Sequence, residues 1–562
     1  MTRMSVGDLL ARAFLSAGIT DIYGIIGTSV VDFYDKLYNY RDKIQVHTTR
    51  HEQAAVSAAD ALYRTSGRVG AAVVHAGPGF LNSLIGVGIA SKDRVPLVLV
   101  SGGVRRRLRG TDSWLEVDQK AISNGLFRSY QVITAPSEAP EQVMEALKSM
   151  YKPPMGPVGI EVAEDIWKLD VDVDEGFFNE IGKLGYSHGT VDDRDIRDAL
   201  DLLADSEKPA ILVSGEAVLP PGFTQDKLMA IAEKYSAFIL TTGNARGACD
   251  ESKRGLCLGR VGFGGGSLPA DKVLEETDAL IVLGNEFDDI TTYGYTLLPK
   301  GDILVFSRDP WVEKRPRYYD LVKADPILVM EKLFESLPES KVSRDSWLGR
   351  VEQYRKEWMG MIRDSIEKET ELVNPNLFFH LADQVLSSNR IVTAGQGTHI
   401  VYTYNHLTIT RPRQFLAATN LGAMGYALPA AIGACHGRPG ADVLVAAGDG
   451  EIMMVIQELE TIVRLGCKPK IVVVNDDSYR VLYLRQVLQK QGRVIETLLG
   501  NPDFSKLAES FGIRGFTARN NDEARSALHL LEEEGPVLIE IKVDKNELPP
   551  LNLDYTLKMN AV

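Results

Sequence analysis

The stretch Val443-Leu444-Val445-Ala446-Ala447-Gly448-Asp449-Gly450, followed after a helical run by Lys470-Ile471-Val472-Val473-Val474-Asn475-Asp476-Asp477-Ser478, decides the fold. Short apolar runs that end on Gly or Asn/Asp read as strands buried on both faces. Between them Val455, Leu459, Ile462 and Val463 recur at helical spacing, and Gly466 stops the helix. Strand, helix, strand predicts two neighbouring parallel strands whose tips carry Asp449 and Asp476 to one edge, where open α/β sheets receive ligands. Mg²⁺ takes a few protein oxygens and completes its octahedron with phosphate oxygens and water. Asp449, Asp476 and the backbone carbonyl of Ser478 are therefore a candidate magnesium–diphosphate anchor. Two merely polar turns are the competing reading.

Outward from this stretch the chain keeps the same alternation. Helical spacing over Ser5 to Ala17 precedes the strand Ile22 to Gly27, and helices then alternate with apolar strands as far as Val158 to Val162. This predicts α/β architecture with three doubly wound parallel-sheet domains, at 1–185, 190–340 and 371–545, and a tail at 546–562. Asp170 to Glu175 reads as an acidic linker, and Ser340 to Thr370 as a charged helical connector. Gly88 to Gly102 and Leu459 to Asp476 share one pattern, so the first and third domains are expected to share a plan. Ala54 to Ala61 is a helix of small residues suited to close packing against another backbone, with Asp60 and Arg64 pairing on its exposed side. Gly77-Pro78-Gly79 turns a strand into a helix at a ligand edge, with His75 just before it. Arg105, Arg106, Arg107 and Arg109 read as a solvated loop or an anion site. Neither Gly215, which stands without a GxGxxG, nor Gly262 to Ser267 makes a strong nucleotide signal.

The 562 residues hold 44% hydrophobic and 25% charged side chains with a net charge of -14, which argues against nucleic acid or an anionic membrane as partner. No apolar run approaches the ~18 residues of a membrane span. Cys249, Cys257, Cys435 and Cys467 have neither CxxC spacing nor disulfide density and read as thiols of a reducing cytoplasm. A soluble, cytoplasmic protein is expected.

Taken together, Arg50-His51-Glu52-Gln53-Ala54-Ala55, Gly77-Pro78-Gly79, and Gly448-Asp449-Gly450 with Asn475-Asp476, where Asp449 and Asp476 stand 27 positions apart, resemble the thiamine diphosphate enzymes of the decarboxylase and acetohydroxyacid synthase superfamily. The likeness spans essentially the whole chain. It implies pyrimidine-binding, central and diphosphate-binding domains, and thiamine diphosphate and Mg²⁺ as cofactors. It implies that Glu52 hydrogen-bonds N1' of the aminopyrimidine, promoting the tautomer whose N4' takes the proton from thiazolium C2, a task suited to a carboxyl of raised pKa. It further implies that Met424 props the cofactor into a V shape, and that Gly395, Gln396 and Thr398 hold the diphosphate. Asp449, Asp476 and the Ser478 carbonyl would hold the metal, with Asp476 in place of the usual Asn adding a negative charge. Gly27, Gly77, Pro78, Asn82, Gly422, Gly448, Gly450, Glu451, Ser478, Tyr479 and Val481 complete the implied cofactor contacts. His75 is a candidate proton shuttle, and an ordinary hydrogen-bonded histidine equally.

Within the superfamily the likeness is greatest to acetolactate synthases, through Gly110-Thr111-Asp112 with Glu116, Leu421 to Ala434 and Asn501-Pro502-Asp503-Phe504. This implies decarboxylation of a 2-oxo acid, pyruvate foremost, with carboligation to a second carbonyl, in a homodimer or dimer of dimers with active sites between subunits. Three departures qualify it. The segment whose arginines bear on FAD reads Gly284-Asn285-Glu286-Phe287-Asp288-Asp289-Ile290-Thr291 and has lost both, which argues against FAD. Leu115 and Arg485 replace a glutamine and a tryptophan of the substrate pocket, which also includes Thr28. Glu451 stands where Ser is usual and brings a carboxylate toward the phosphates. The alternatives are a 2-hydroxyacyl-CoA lyase or oxalyl-CoA decarboxylase, suggested by Phe80-Leu81-Asn82, a simple 2-oxo acid decarboxylase, and a non-catalytic thiamine diphosphate-binding regulator.

Overall fold

A computed structural model describes residues 1–253, 255–316, 318–340, 342–552 and 555–556. Three six-stranded sheets, each wholly parallel, follow one another along the chain, and a two-stranded antiparallel ribbon accompanies the first. The first sheet runs Gln45–Thr48, Asp21–Gly24, Ala71–Val74, Val98–Gly103, Val158–Ala163, Ser129–Ile133 in spatial order. The third runs Phe415–Ala417, Arg390–Ala394, Asp442–Gly448, Lys470–Asn475, Val537–Lys542, Arg514–Ala518. Numbered along the chain, both read 2-1-3-4-6-5, so the shared plan seen in the sequence is a shared topology. The middle sheet differs: Cys257–Arg260, Phe238–Thr241, Pro209–Val213, Ala279–Leu283, Asp302–Phe306, Asp320–Val322 read 3-2-1-4-5-6. Central strands such as Ala279–Leu283 are apolar throughout because both faces are covered by helices. No helix among the described residues is long and apolar enough to cross a membrane.

The chain forms two compact units, one of residues 1–187, 418–441 and 454–468, the other of 188–417, 442–453 and 469–562. In the first unit the helix Glu52–Ser66 packs along Ala427–Gly437, and the close approach expected of its small residues is real. A Cβ on Gly433 would run into the carbonyl oxygen of Ala58, and one on Gly437 into Thr65 Oγ1. Since the obstruction at Gly433 is backbone, Gly433→Ala is expected to destabilise the protein by about 1–3 kcal/mol, the usual range for overpacking, read as a lower midpoint in urea.

Three expectations change. Asp60 and Arg64 do pair, at 2.6 Å, but on the buried side of the helix, where Arg64 also reaches Asp93 at 2.7 Å and Asp60 accepts from the Tyr426 hydroxyl at 2.7 Å. Spacing alone gives the pair, whereas the helix face is set by the segment packed on it. Asp170 to Glu175 is not a linker: Asp170–Val173 pairs antiparallel with Thr2–Ser5, turning its alternate Val171 and Val173 inward, and Glu175–Ile181 is helical. Cys249 and Cys257 are not free thiols but a disulfide, their Cα atoms 5.9 Å apart, while Cys435 and Cys467 remain free. The strand entered at Cys257 brings it back beside Cys249, which sequence spacing does not reveal.

Candidate active site

The edge of the first sheet assembles one group of residues. Strand Ala71–Val74 ends at His75 and Ala76, and Gly77, at φ +62°, starts the helix Pro78–Lys92. That left-handed turn suits glycine, and it packs tightly, since a Cβ there would lie 2.5 Å from the Leu115 carbonyl oxygen. Glu52 opens its own helix, capped by His51, whose ring accepts from the Gln53 N–H at 3.2 Å. Glu52 is half-buried, and its Oε2 accepts from Asn82 Nδ2 at 3.0 Å. Gly79 leaves the room between them: a Cβ there would sit 3.4 Å from Glu52 Oε1 and 3.1 Å from His75 Cβ. The structure thus brings Glu52, His75, Gly77, Gly79 and Asn82 together.

His75 is held by Ser29, which no motif of the sequence marks. The Ser29 N–H donates to Nδ1 at 3.3 Å, and Ser29 Oγ lies 2.7 Å from the same nitrogen while accepting from the Ala76 N–H. Nδ1 therefore accepts, which leaves the proton of the neutral ring on Nε2. Burial pushes the His75 pKa down against the raising fields of Glu164 and Glu52, favouring that neutral form. Gly27 lies against the same ring, Cγ of His75 being 2.5 Å from where its Cβ would stand, and Thr28 is exposed beside it. Met424 is half-buried, in a loop whose Met424 and Gly425 carbonyls face Gln53 Nε2 at 3.4 and 3.3 Å, and Gly422 is exposed at φ +69°. Leu115 helps line a cavity of about 490 Å³ with Val104, Arg109, Glu116, Gln119 and Glu161. The arginine run is neither free nor an open anion site at three of its positions, because Arg105 pairs with Glu164, Arg106 with Asp165 and Arg109 with Glu161, at 2.8, 2.9 and 2.6 Å.

The edge of the third sheet assembles the other group. Asp442–Gly448 and Lys470–Asn475 are adjacent parallel strands in register from Leu444 opposite Lys470 to Gly448 opposite Val474, so Asp449 and Asp476 leave the same edge. Asp449 is buried, and burial followed by the charge of Asp476 pushes its pKa up to about 7. Asp476 is raised by burial too, but Arg480 Nη1 at 3.4 Å opposes this, and the Ser478 hydroxyl donates to its other oxygen at 2.5 Å. The extra charge of Asp476 therefore has its own counter-ion four residues on, at the first position of the helix Arg480–Gln489. Asn501 closes the cluster, its Nδ2 donating to Asp449 Oδ2 at 2.7 Å and Asp477 Oδ1 at 2.9 Å. The sequence motifs assign neither Arg480 nor Asn501 to the metal cluster: Arg480 stands only four residues from Asp476, but Asn501 reaches Asp449 across 52 positions, which local spacing does not encode.

Beside these acids, Ala394 passes into the turn Gly395 to Gly397 and the helix Thr398–His406. Glu451 is buried and turns onto His399, with Oε2 3.1 Å from Nε2. Gly395 makes room for it, since any Cβ there would collide with that carboxylate, and Gly448 does the same for the His399 ring at 2.8 Å. Gly450 faces the Tyr479 ring, 2.7 Å from its Cβ position. Thr398 Oγ1 is buried and has no hydrogen-bond partner among the described residues. Gln396 is half-buried in the turn. On the helix Arg480–Gln489, Val481 is exposed, and Arg485 is exposed with its Nε donating to Gln489. A buried acid pair whose ionisation is penalised, beside the Gly395 to Gly397 turn and an unspent Thr398 hydroxyl, fits a divalent cation carrying a diphosphate. Asn501→Ala is expected to weaken Mg²⁺ binding about 10–100-fold, the usual cost of losing a group that orients a ligand, measured by calorimetric titration.

Comparison with known proteins places a thiamine pyrophosphate-binding family on both sheet edges. Residues 4–122 match the N-terminal TPP binding domain of thiamine pyrophosphate enzymes, 196–333 their central domain, and 395–541 their C-terminal TPP binding domain. A probable acetolactate synthase large subunit of Methanocaldococcus jannaschii is 30% identical, with 98% of this chain and 93% of that protein aligned. The acetolactate synthase isozyme 2 large subunit of Escherichia coli is 28% identical over 97% of this chain and 96% of its own. The acetolactate synthase large subunit of Corynebacterium glutamicum is 28% identical over 97% and 87%. Three consecutive family domains and a likeness that runs nearly end to end establish that the chain belongs to the thiamine pyrophosphate enzymes, as an acetolactate synthase-like member.

Proposed function

We propose that the protein is a Mg²⁺- and thiamine diphosphate-dependent enzyme that decarboxylates a 2-oxo acid, pyruvate foremost, and joins the acyl fragment to a second carbonyl. The observation that carries this reading is the acid cluster Asp449, Asp476 and Asn501 beside the unpaired Thr398 hydroxyl, in a chain that aligns nearly end to end with acetolactate synthases. When bound, thiamine diphosphate supplies the electron sink for the electrons released with CO₂. The protein's own residues do the rest. Asp449, Asp476 and the Ser478 carbonyl hold the metal, Gln396 and Thr398 with the turn N–H groups hold the diphosphate, and Met424 supports the cofactor from its loop. Glu52, steadied by Asn82, holds and returns a proton at its carboxylate, and His75, with its proton on Nε2, is placed to serve a substrate oxygen. Thr28 and Leu115 would face the second carbonyl from the copy that supplies Glu52, and Arg485 from the copy that supplies the metal ligands.

Two copies of the chain complete each site, Glu52 coming from one and the metal ligands from the other, so active enzyme should elute as a dimer or larger. An acyl-CoA lyase would need cations for its substrate's phosphates, and the structure ties Arg105, Arg106 and Arg109 to carboxylates. The test is incubation with pyruvate, Mg²⁺ and thiamine diphosphate, with acetolactate and acetaldehyde assayed separately. Acetolactate as the main product is expected; acetaldehyde without acetolactate would leave a simple decarboxylase.

A further inference from the structure

Sheets ordered 3-2-1-4-5-6, like the middle one, receive a dinucleotide in the crevice where the order reverses, with the pyrophosphate on the N–H groups that follow the first strand. Here the reversal lies between Pro209–Val213 and Ala279–Leu283. FAD is the group that likeness to acetolactate synthases implies for this domain, and the residues present do not fit it. The N–H of Gly215, just past the first strand, already donates to Glu286 Oε2 at 3.1 Å. The same carboxylate takes the Thr242 hydroxyl, and its Oε1 takes Asn244 Nδ2 at 2.8 Å. Glu286, Thr242 and Asn244 are all buried. A Cβ on Gly215 would stand 3.2 Å from Glu286 Oε1, so the carboxylate lies directly against the backbone a phosphate would need.

The neighbouring strand ends are closed in the same manner. Glu216 Oε2 accepts from the Ser307 hydroxyl at 2.5 Å and Oε1 from the Arg308 N–H at 2.9 Å. Ser214 Oγ accepts from the Asn285 N–H at 2.9 Å, and Asn285 Nδ2 donates to Asp309 Oδ2 at 2.9 Å. Burial of its carboxyl pushes the Glu216 pKa up to about 8, although the residue as a whole is half-buried. The helix here, Gly215–Val218, is a single turn and adds little dipole to attract an anion. A phosphate could enter only by displacing Glu286, which would strand a buried carboxylate and leave two buried donors unpaired.

We propose that Glu286 and Glu216 occupy the ground where a dinucleotide's phosphates would lie, so that this enzyme works without FAD and its central domain takes neither ADP nor coenzyme A. The domain is then a spacer sealed by its own carboxylates, and the acyl-CoA chemistry of the superfamily loses its nucleotide anchor here. The claim stands on binding rather than turnover, so it can fail while the carboligase reading holds, and the reverse.

The test uses the full chain loaded with Mg²⁺ and thiamine diphosphate. FAD, ADP and coenzyme A are titrated separately by calorimetry, and flavin released on denaturing the purified protein is measured by fluorescence. The expected result is background flavin and no saturable heat to about 100 µM of any of the three, a Kd weaker than ~10⁻⁴ M. Flavin released at close to one per chain, or micromolar binding of any of the three, would overturn the proposal.

Discussion

Glu52→Gln is expected to lower turnover of pyruvate by about 10²–10⁴, the usual worth of a positioned proton donor and acceptor. Glutamine keeps the shape of the side chain and can still accept the Asn82 hydrogen bond, so the fold around the helix start is preserved. What it cannot do is exchange a proton at the position Glu52 holds. Cofactor binding depends chiefly on the other group of residues, so the affinity for Mg²⁺ and thiamine diphosphate should change little while the rate collapses. A loss of rate with binding intact separates a role in proton transfer from one in packing. Turnover within about threefold of the unmodified enzyme would remove Glu52 from the chemistry.

Asp449→Asn tests the other half. Losing a group that merely orients a metal ligand costs about 10–100-fold in affinity, and losing the ligand's charge is expected to cost at least ~10²-fold in Mg²⁺-dependent cofactor binding. Stability without metal should move the other way. Asp449 is buried near Asp476, and both burial and that neighbouring charge oppose its ionisation. Removing the charge relieves that opposition, so the metal-free variant should melt no lower than the metal-free parent. A variant that melts lower would show Asp449 to be chiefly structural; one that binds Mg²⁺ and thiamine diphosphate as tightly as the parent would show it is not a ligand.

Periodicity made the three parallel sheets legible because strands buried on both faces must be apolar throughout, as Lys470–Asn475 is apart from its ends. It also placed Asp449 and Asp476 on one edge, because parallel neighbours joined by a helix end on the same side. The recurrence of one pattern at Gly88 to Gly102 and Leu459 to Asp476 anticipated the common 2-1-3-4-6-5 order. What the sequence hid were contacts made across long separations. Ser29 reaches His75 over 46 positions and Asn501 reaches Asp449 over 52, and neither spacing belongs to any local element. Glu451, which by position brings a carboxylate toward the phosphates, turns onto His399, and Gly395 leaves it the room. The antiparallel ribbon of Thr2–Ser5 with Asp170–Val173 is not legible in the sequence because its acidic strand alternates Asp with Val, a half-exposed pattern that reads as a charged linker. In the central domain the missing arginines argue against FAD from sequence alone, and the proposal about the buried seat of Glu286 rests on contacts that spacing does not encode.

The most direct test of the whole account is calorimetric titration of the metal-free protein with thiamine diphosphate, with and without Mg²⁺. The account predicts saturation at one cofactor per chain when Mg²⁺ is present and no measurable binding in EDTA. Equal binding in EDTA, or none in either condition, would contradict it.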